Sequence, residues 1–188
     1  MRIRILVAAV VMAAAALPVG AQVVNADFDT DAAHWAFVLD AGSGGIVDWD
    51  STSGDPAPGS ARAGNVFAGA RRDGWKQCVP FAAADFAIAV RVASALQSGN
   101  SCRIRVDFIA NPDCVDGTPI VQENLIANTR NDGTFESLAA GGTLPDGIEA
   151  AAVFLEHIRS KDAAAGDSFC HFDHVEINAG TIFAAAFE

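Results

Sequence analysis

The chain has 188 residues, 12 Lys and Arg against 23 Asp and Glu, and a formal net charge of −11. That balance argues against binding driven by nucleic-acid phosphates or an anionic membrane surface, both of which call for a dominant basic surface. With 51% apolar and 19% charged residues, the composition is that of a globular chain long enough for one domain and a real core.

The first segment reads as a leader. Arg2 and Arg4 precede an apolar run from Ile5 to Leu17, Pro18 breaks it, and Val19-Gly20-Ala21 suits small-residue cleavage before Gln22. The run is too short for a bilayer span of about 20 residues. The expected organisation is therefore a signal peptide over 1–21, a domain over 22–179 and a tail over 180–188. The mature protein is expected to be secreted or periplasmic, without stable membrane insertion, and to carry a net charge of −13 once the two leader arginines are gone.

The remaining chain alternates short strands with glycine and proline turns. Asn25-Ala26-Asp27-Phe28-Asp29 is an acidic stretch with Phe28 available to a core. His34 to Leu39 reads as a strand holding Trp35 and Phe37. Ala41-Gly-Ser-Gly-Gly45 has the spacing of a nucleophile elbow, but that device needs a helix behind it. Ile46-Val47-Asp48-Trp49 reads as strand instead, so 41–45 is taken as a turn. A loop over 50–59 leads to a weak strand over 62–68 and a stronger one over 75–81, with Pro80 marking an edge or a terminus.

Phe86, Ile88, Val90 and Val92 alternate with small or polar residues, the clearest period-two pattern in the chain. Ser98-Gly99-Asn100 turns this strand into one over 102–110, where Cys102, Ile104, Val106 and Phe108 share a face. A loop follows over 111–119. Short strands at 125–128 and 134–138 flank an Asn131-Asp132-Gly133 turn, and Gly141-Gly142 and Pro145-Asp146-Gly147 read as further turns. Residues 148–159 fit helix and strand periodicity alike. The strand-rich surroundings decide for a central strand, apolar on both faces.

The last strand, Phe169 to Ile177, has no cleanly apolar face. Phe172 and Val175 both reach a core only if the phase slips at Asp173-His174, as a β-bulge allows. Taken together, the pattern predicts an all-β fold, a two-sheet antiparallel β-sandwich.

Cys78, Cys102, Cys114 and Cys170 predict two disulfides in an exported chain. A strand over 102–110 extends about 26 Å at about 3.3 Å per residue. The four residues back from Ala110 to Cys114 reach about 14 Å at most. Cys102 and Cys114 therefore cannot pair. Two connectivities remain: 78–114 with 102–170, or 78–102 with 114–170.

Trp49 and Trp75 are candidates for stacking on the CH face of a sugar ring, and His157 with Arg159 for lining a polar groove, while Trp35 reads as core. No catalytic residues are assigned: there is no HExxH and no catalytic Ser, His and Asp arrangement.

Asn25-Ala-Asp-Phe-Asp29, a Trp soon after, Gly59-Ser60 behind a Gly/Pro/Asp loop, Gln77-Cys78-Val79 and Phe172-Asp-His-Val175 occur in that order. The set resembles the galactose-binding-like jelly roll of carbohydrate-binding modules. The resemblance implies a jelly-roll sandwich, a non-catalytic module and a glycan partner. It implies a structural Ca²⁺ held by Asp29 and Asp173 with Asp27 as a third carboxylate, the hard oxygen donors that ion takes. It also favours 78–114 with 102–170. The competing expectation is a structural exported protein of an envelope or matrix, without a small ligand. In the tail, Ile182, Phe183 and Phe187 are expected to serve as a handle for an export or surface partner, rather than docking on the domain.

Overall fold

The computed structural model describes residues 23–39, 45–115, 118–127, 131–163 and 165–179. The expected leader, most of the 41–45 turn and the tail lie outside the described residues.

Ten strands are present: β1 (Ala36–Leu39), β2 (Ile46–Asp50), β3 (Ser60–Gly64), β4 (Arg71–Pro80), β5 (Asp85–Ala95), β6 (Asn100–Ile109), β7 (Val121–Ala127), β8 (Phe135–Thr143), β9 (Ala150–Arg159) and β10 (Phe169–Ala179). A first sheet runs β1-β4-β9-β6-β7 and a second β2-β3-β10-β5-β8, with antiparallel neighbours throughout. This is the two-sheet sandwich expected, and no helix occurs among the described residues.

Period-two burial builds the interior. Cys102, Ile104, Val106 and Phe108 of β6 are fully buried, facing Phe86, Ile88, Val90 and Val92 of β5 at no more than 2% exposure. Each large apolar side chain so buried contributes about 1.5–3 kcal/mol. Phe108 packs against Phe86 and Phe81, with ring centroids 4.7 and 5.3 Å apart. Residues 150–159 do form a strand. They are buried on both faces because β9 lies centrally between β4 and β6 and because its outer side is covered by a second cluster of Ile109, Cys114, Ala152 and Phe154.

The bulge falls where the phase demanded it. The β10–β5 register shifts between Asp173 and Glu176, and His174 takes a left-handed φ of 46°. Cys170 and Phe172 before it, and Val175 and Ile177 after it, all point inward. Cys102 pairs with Cys170 across the two sheets, at a Cα separation of 5.6 Å, and Cys78 with Cys114, at 5.8 Å.

One expectation needs correction. Gly141 and Gly142 lie inside β8, not in a turn; a Cβ on Gly142 would stand 3.1 Å from the Phe86 ring, so the glycine makes room for an aromatic. The 131–133 turn lies between β7 and β8 as expected, without closing a hairpin. It carries the chain from β7 in the first sheet to β8 in the second, as 98–100 carries it from β5 to β6. Turn residues encode a reversal of direction; which sheet receives the next strand depends on partners distant in sequence.

Candidate functional site

The outer face of the first sheet is the most chemically loaded surface. Alternation sends Arg72, Gly74, Lys76 and Cys78 of β4 outward, with Ala152, Phe154, Glu156 and Ile158 of β9, Arg103, Arg105 and Asp107 of β6, and Gln122, Asn124 and Ile126 of β7. Pairing sets them in rows across the strands. One row runs Lys76, Phe154, Arg105, Asn124; its neighbours run Gly74, Glu156, Arg103, Ile126 and Cys78, Ala152, Asp107, Gln122.

Glu156 anchors this face. Its side chain is fully buried, and its Oε2 accepts a hydrogen bond from Arg103 Nε at 2.7 Å and pairs with Arg103 Nη2, also at 2.7 Å. Its Oε1 has no hydrogen-bond partner and faces Arg72 Nε at 3.8 Å and Arg105 Nη2 at 3.9 Å. A buried carboxylate is tolerable only when compensated, and here it gathers three guanidinium groups. The Arg105 guanidinium also lies 3.9 Å above the Phe154 ring centroid, and Lys76 stands 5.4 Å from it, both as cation–π contacts. Phe154 is therefore 8% exposed and offers no bare aromatic plane. Asp107 accepts from Gln122 at 2.6 Å and lies 3.5 Å from Arg105. The 111–115 loop, tied down by the Cys78–Cys114 bond and by Lys76 Nζ donating to the Cys114 carbonyl at 3.1 Å, walls one end of the face.

The second sheet's outer face is more nearly balanced. Arg62 clamps Asp48 with two bonds of 2.7 and 2.6 Å, and His171 Nδ1 sits 3.1 Å from Ser60 Oγ and 3.7 Å from Asp50. Burial pushes the His171 pKa down, against the pull of Asp50. Ser60 is fully buried, so this cluster has no hydroxyl to present to a substrate.

The side chains proposed from the sequence as ligand contacts lie elsewhere. Trp75 is 2% exposed, donates its Nε1 hydrogen to the Arg62 carbonyl and packs on Phe37. His157 and Arg159 share a face as expected, but it is the inner one. His157 is fully buried with Nε2 2.9 Å from Ser168 Oγ, and Arg159 is 2% exposed and donates to the carbonyls of Asn65 and Gly166. Burial, with Arg159 adding to it, lowers the His157 pKa to about 4, so the ring is neutral. With Asn65, Asp73, Asn100 and Ser168 they form a polar layer beneath the loops at one end of the sandwich. Asn65 donates to Asp73 at 2.8 Å and Asn100 to Ser168 at 3.0 Å. These three are thus corrected from surface contacts to interior supports. Trp49 is part-buried at the edge of the second sheet, its indole N–H donating to the Phe28 carbonyl at 2.6 Å.

Asp27, Asp29 and Asp173 come near one another, since both N-terminal acids add to the upward push on Asp173. Burial is the larger cause, and the Asp173 pKa rises to about 7. Yet Asp173 spends its oxygens on the N–H groups of Asp55 and His174, at 2.6 and 2.7 Å, and Asp27 pairs with His174 at 2.8 Å. The donor chemistry suits a hard cation; the placement does not. Among the described residues no group of three or more His, Cys, Asp or Glu side chains is set to hold a metal ion.

Sequence reasoning missed the outer-face cluster. The alternation that placed Cys102 and Ile104 inward also placed Arg103 and Arg105 outward, a signal open to reading. That Arg72 and Glu156 join them follows only from strand pairing.

No protein-family model matches the chain, and no curated protein does. Solved structures do match in fold. One is the enzymatically active domain of bacteriophage CBA120 tailspike protein 4, with a TM-score of 0.58 and 11% identity over 82% of this chain. Another is TmCBM61 in complex with β-1,4-galactotriose, at 0.53 and 8% over 83%. A third is a CBM4 structure, at 0.56 and 15% over 85%. The chain spans 21% of the tailspike chain, 96% of TmCBM61 and 100% of the CBM4 chain. At these identities the likeness is one of fold: the chain shares with these structures a β-sandwich, the fold its sequence resemblance implied.

Proposed function

We propose that this protein is a non-catalytic, exported glycan-binding module that receives its ligand on the outer face of the first sheet. The observation that carries this reading is the set of polar and charged side chains, Arg103, Arg105, Asn124 and Gln122, ordered in rows on a sheet around the buried Glu156, with Arg72 beside it. A saccharide has hydroxyls at regular intervals, and rows of donors and acceptors on a sheet match that regularity without rearrangement. The match in fold to a module solved with β-1,4-galactotriose supports the class of partner. Two disulfides and the leader-like N-terminus support export.

The test is affinity electrophoresis of the protein through gels carrying single polysaccharides, with reducing-end release assayed alongside. Retardation by at least one glycan, its loss in Arg105→Ala, and no release of sugar ends are expected. Retention that survives every outer-face substitution places the ligand elsewhere and overturns the assignment of the face.

A structural, self-associating role has one specific observation behind it. Phe37 and Leu39 on the edge strand β1 are 63% and 49% exposed, and an apolar edge invites pairing. Concentration-dependent light scattering distinguishes this role; a monomer at all concentrations removes it.

A further inference from the structure

We infer that the Cys78–Cys114 disulfide is a reducible clasp: a dithiol opens it in the folded protein and releases the 111–115 loop from the outer face of the first sheet, while Cys102–Cys170 stays closed.

The two disulfides stand in opposite surroundings. Cys102 and Cys170 are both fully buried and join the sheets through the core. A reductant reaches them only when the sandwich itself opens. Cys78 lies on the outward phase of β4 and is only part-buried, its sulfur at an exposed contact 3.5 Å from the Pro112 carbonyl. Cys114 is 6% exposed. The Cys78 sulfur is therefore the one open to attack.

The loop depends on this bond for its place. Its hydrogen bonds run within it: Asn111 Nδ2 donates to the Val115 carbonyl at 2.8 Å, the Asp113 N–H to Asn111 Oδ1 at 2.9 Å and the Cys114 N–H to the Asn111 carbonyl at 3.1 Å. Of residues 111–115 only Cys114 is buried. Among the described residues, three links tie the loop to the sheet: the disulfide, the Lys76 ammonium donating to the Cys114 carbonyl at 3.1 Å, and the burial of Cys114 in the cluster of Ile109 and Phe154. All three pass through Cys114. That residue is held at a φ of 52°, a region that residues other than glycine adopt at a cost. With the S–S bond broken, Cys114 is free to leave that conformation, and one hydrogen bond from a part-exposed lysine is too weak to hold it.

The step is thiol–disulfide exchange. One thiolate of the dithiol attacks the Cys78 sulfur, the Sγ–Sγ bond breaks, and Cys114 leaves as a thiolate. The second thiolate attacks the mixed disulfide and Cys78 leaves in turn. The reductant departs as its own disulfide, having given two electrons to the clasp, and its two thiol protons, passed through water, end on the two cysteines. Oxidising surroundings close the clasp again. Because the loop walls one end of the outer face, opening it extends that face. This last consequence rests on the glycan-binding reading; the clasp does not.

The experiment holds the native protein at neutral pH in graded dithiothreitol, alkylates it with iodoacetamide at intervals and maps the labelled peptides by mass. Cys78 and Cys114 are expected to label at least about tenfold faster than Cys102 and Cys170. Amide hydrogen exchange at 111–115 should rise in the selectively reduced protein, with exchange in β5 and β6 unchanged, and should fall again when oxidised glutathione re-forms the bond. Cys78→Ser/Cys114→Ser should show the same rapid exchange at 111–115 without reductant. Four cysteines labelling at one rate, or none before global unfolding, overturns the clasp. Exchange at 111–115 that is equal in the oxidised and selectively reduced protein overturns it too, since the bond is then a static staple. Glycan retardation enters none of these readouts, so failure of the binding reading and failure of the clasp are told apart.

Discussion

Glu156 and His157 are neighbours in sequence with opposite surroundings, and each yields a measurable expectation. Removing the buried acid takes away the carboxylate that Arg72, Arg103 and Arg105 share, while Arg105 keeps Asp107 at 3.5 Å. Glu156→Ala should cost about 2 kcal/mol in urea unfolding, below the usual figure for breaking a buried pair because the arginines keep partial contact with water. His157 is neutral in the fold, with a pKa near 4, against 6.5 for an ordinary histidine. Between those values the unfolded chain binds more protons than the folded one, so this group's stabilisation is present above pH 6.5 and is lost as pH falls toward 4. His157→Gln, which keeps a polar group near Ser168, should lessen the decline of the urea midpoint over that window; an unaltered slope shows that the imidazole does not drive it. Asp173 provides the test of calcium. With its oxygens bonded to N–H groups, thermal melts in EDTA and in millimolar Ca²⁺ should coincide. A calcium-dependent rise that disappears in Asp173→Asn would restore the cation site the family resemblance implied.

At the scale of single elements, β10 shows how one residue sets a whole strand. Without the slip at Asp173-His174, Val175 and Ile177 would face water, because a shift of one residue exchanges the faces. The slip requires His174 at a φ of 46°, a region open to glycine and costly for branched side chains. His174→Val should therefore destabilise by about 1–2 kcal/mol, while His174→Gly is nearly neutral, losing only part-exposed pairs with Asp27 and Glu176. Chemical denaturation of the two variants side by side measures the difference; equal effects would show that the side chain's contacts, and not the backbone, hold the bulge. This feature was legible beforehand, since Phe172 and Val175 cannot otherwise both be buried. The length of β8 was not. Gly141-Gly142 has the composition of a turn, and only the Phe86 ring lying against Gly142 explains glycine within a strand.

For the whole molecule, the Cys102–Cys170 bond is the covalent link between the sheets, joining residues 68 apart in sequence. Closing a loop of that length in the unfolded chain should stabilise the protein by about 4 kcal/mol. The Cys102→Ala/Cys170→Ala pair should lose that amount, and non-reducing peptide mapping should return 102–170 and 78–114 peptides; a 78–102 peptide would contradict the arrangement. The all-β class, the alternation along β5 and β6 and the impossibility of a Cys102–Cys114 bond were settled by the sequence, because they depend on periodicity and chain reach. Fold resemblance, more than residue spacing, picked out the pairing. What the sequence could not decide was which polar residues are buried. Trp75, His157 and Arg159 have side chains suited to binding, and nothing local shows that β4 and β9 turn them into the interior. The outer-face cluster is the converse case. Arg72, Arg103, Arg105 and Glu156 come from three strands separated by loops, and antiparallel register alone brings them onto one face. Local pattern fixes a side chain's phase along its own strand, but a site is made across strands, so its membership is decided only when the sheet is assembled.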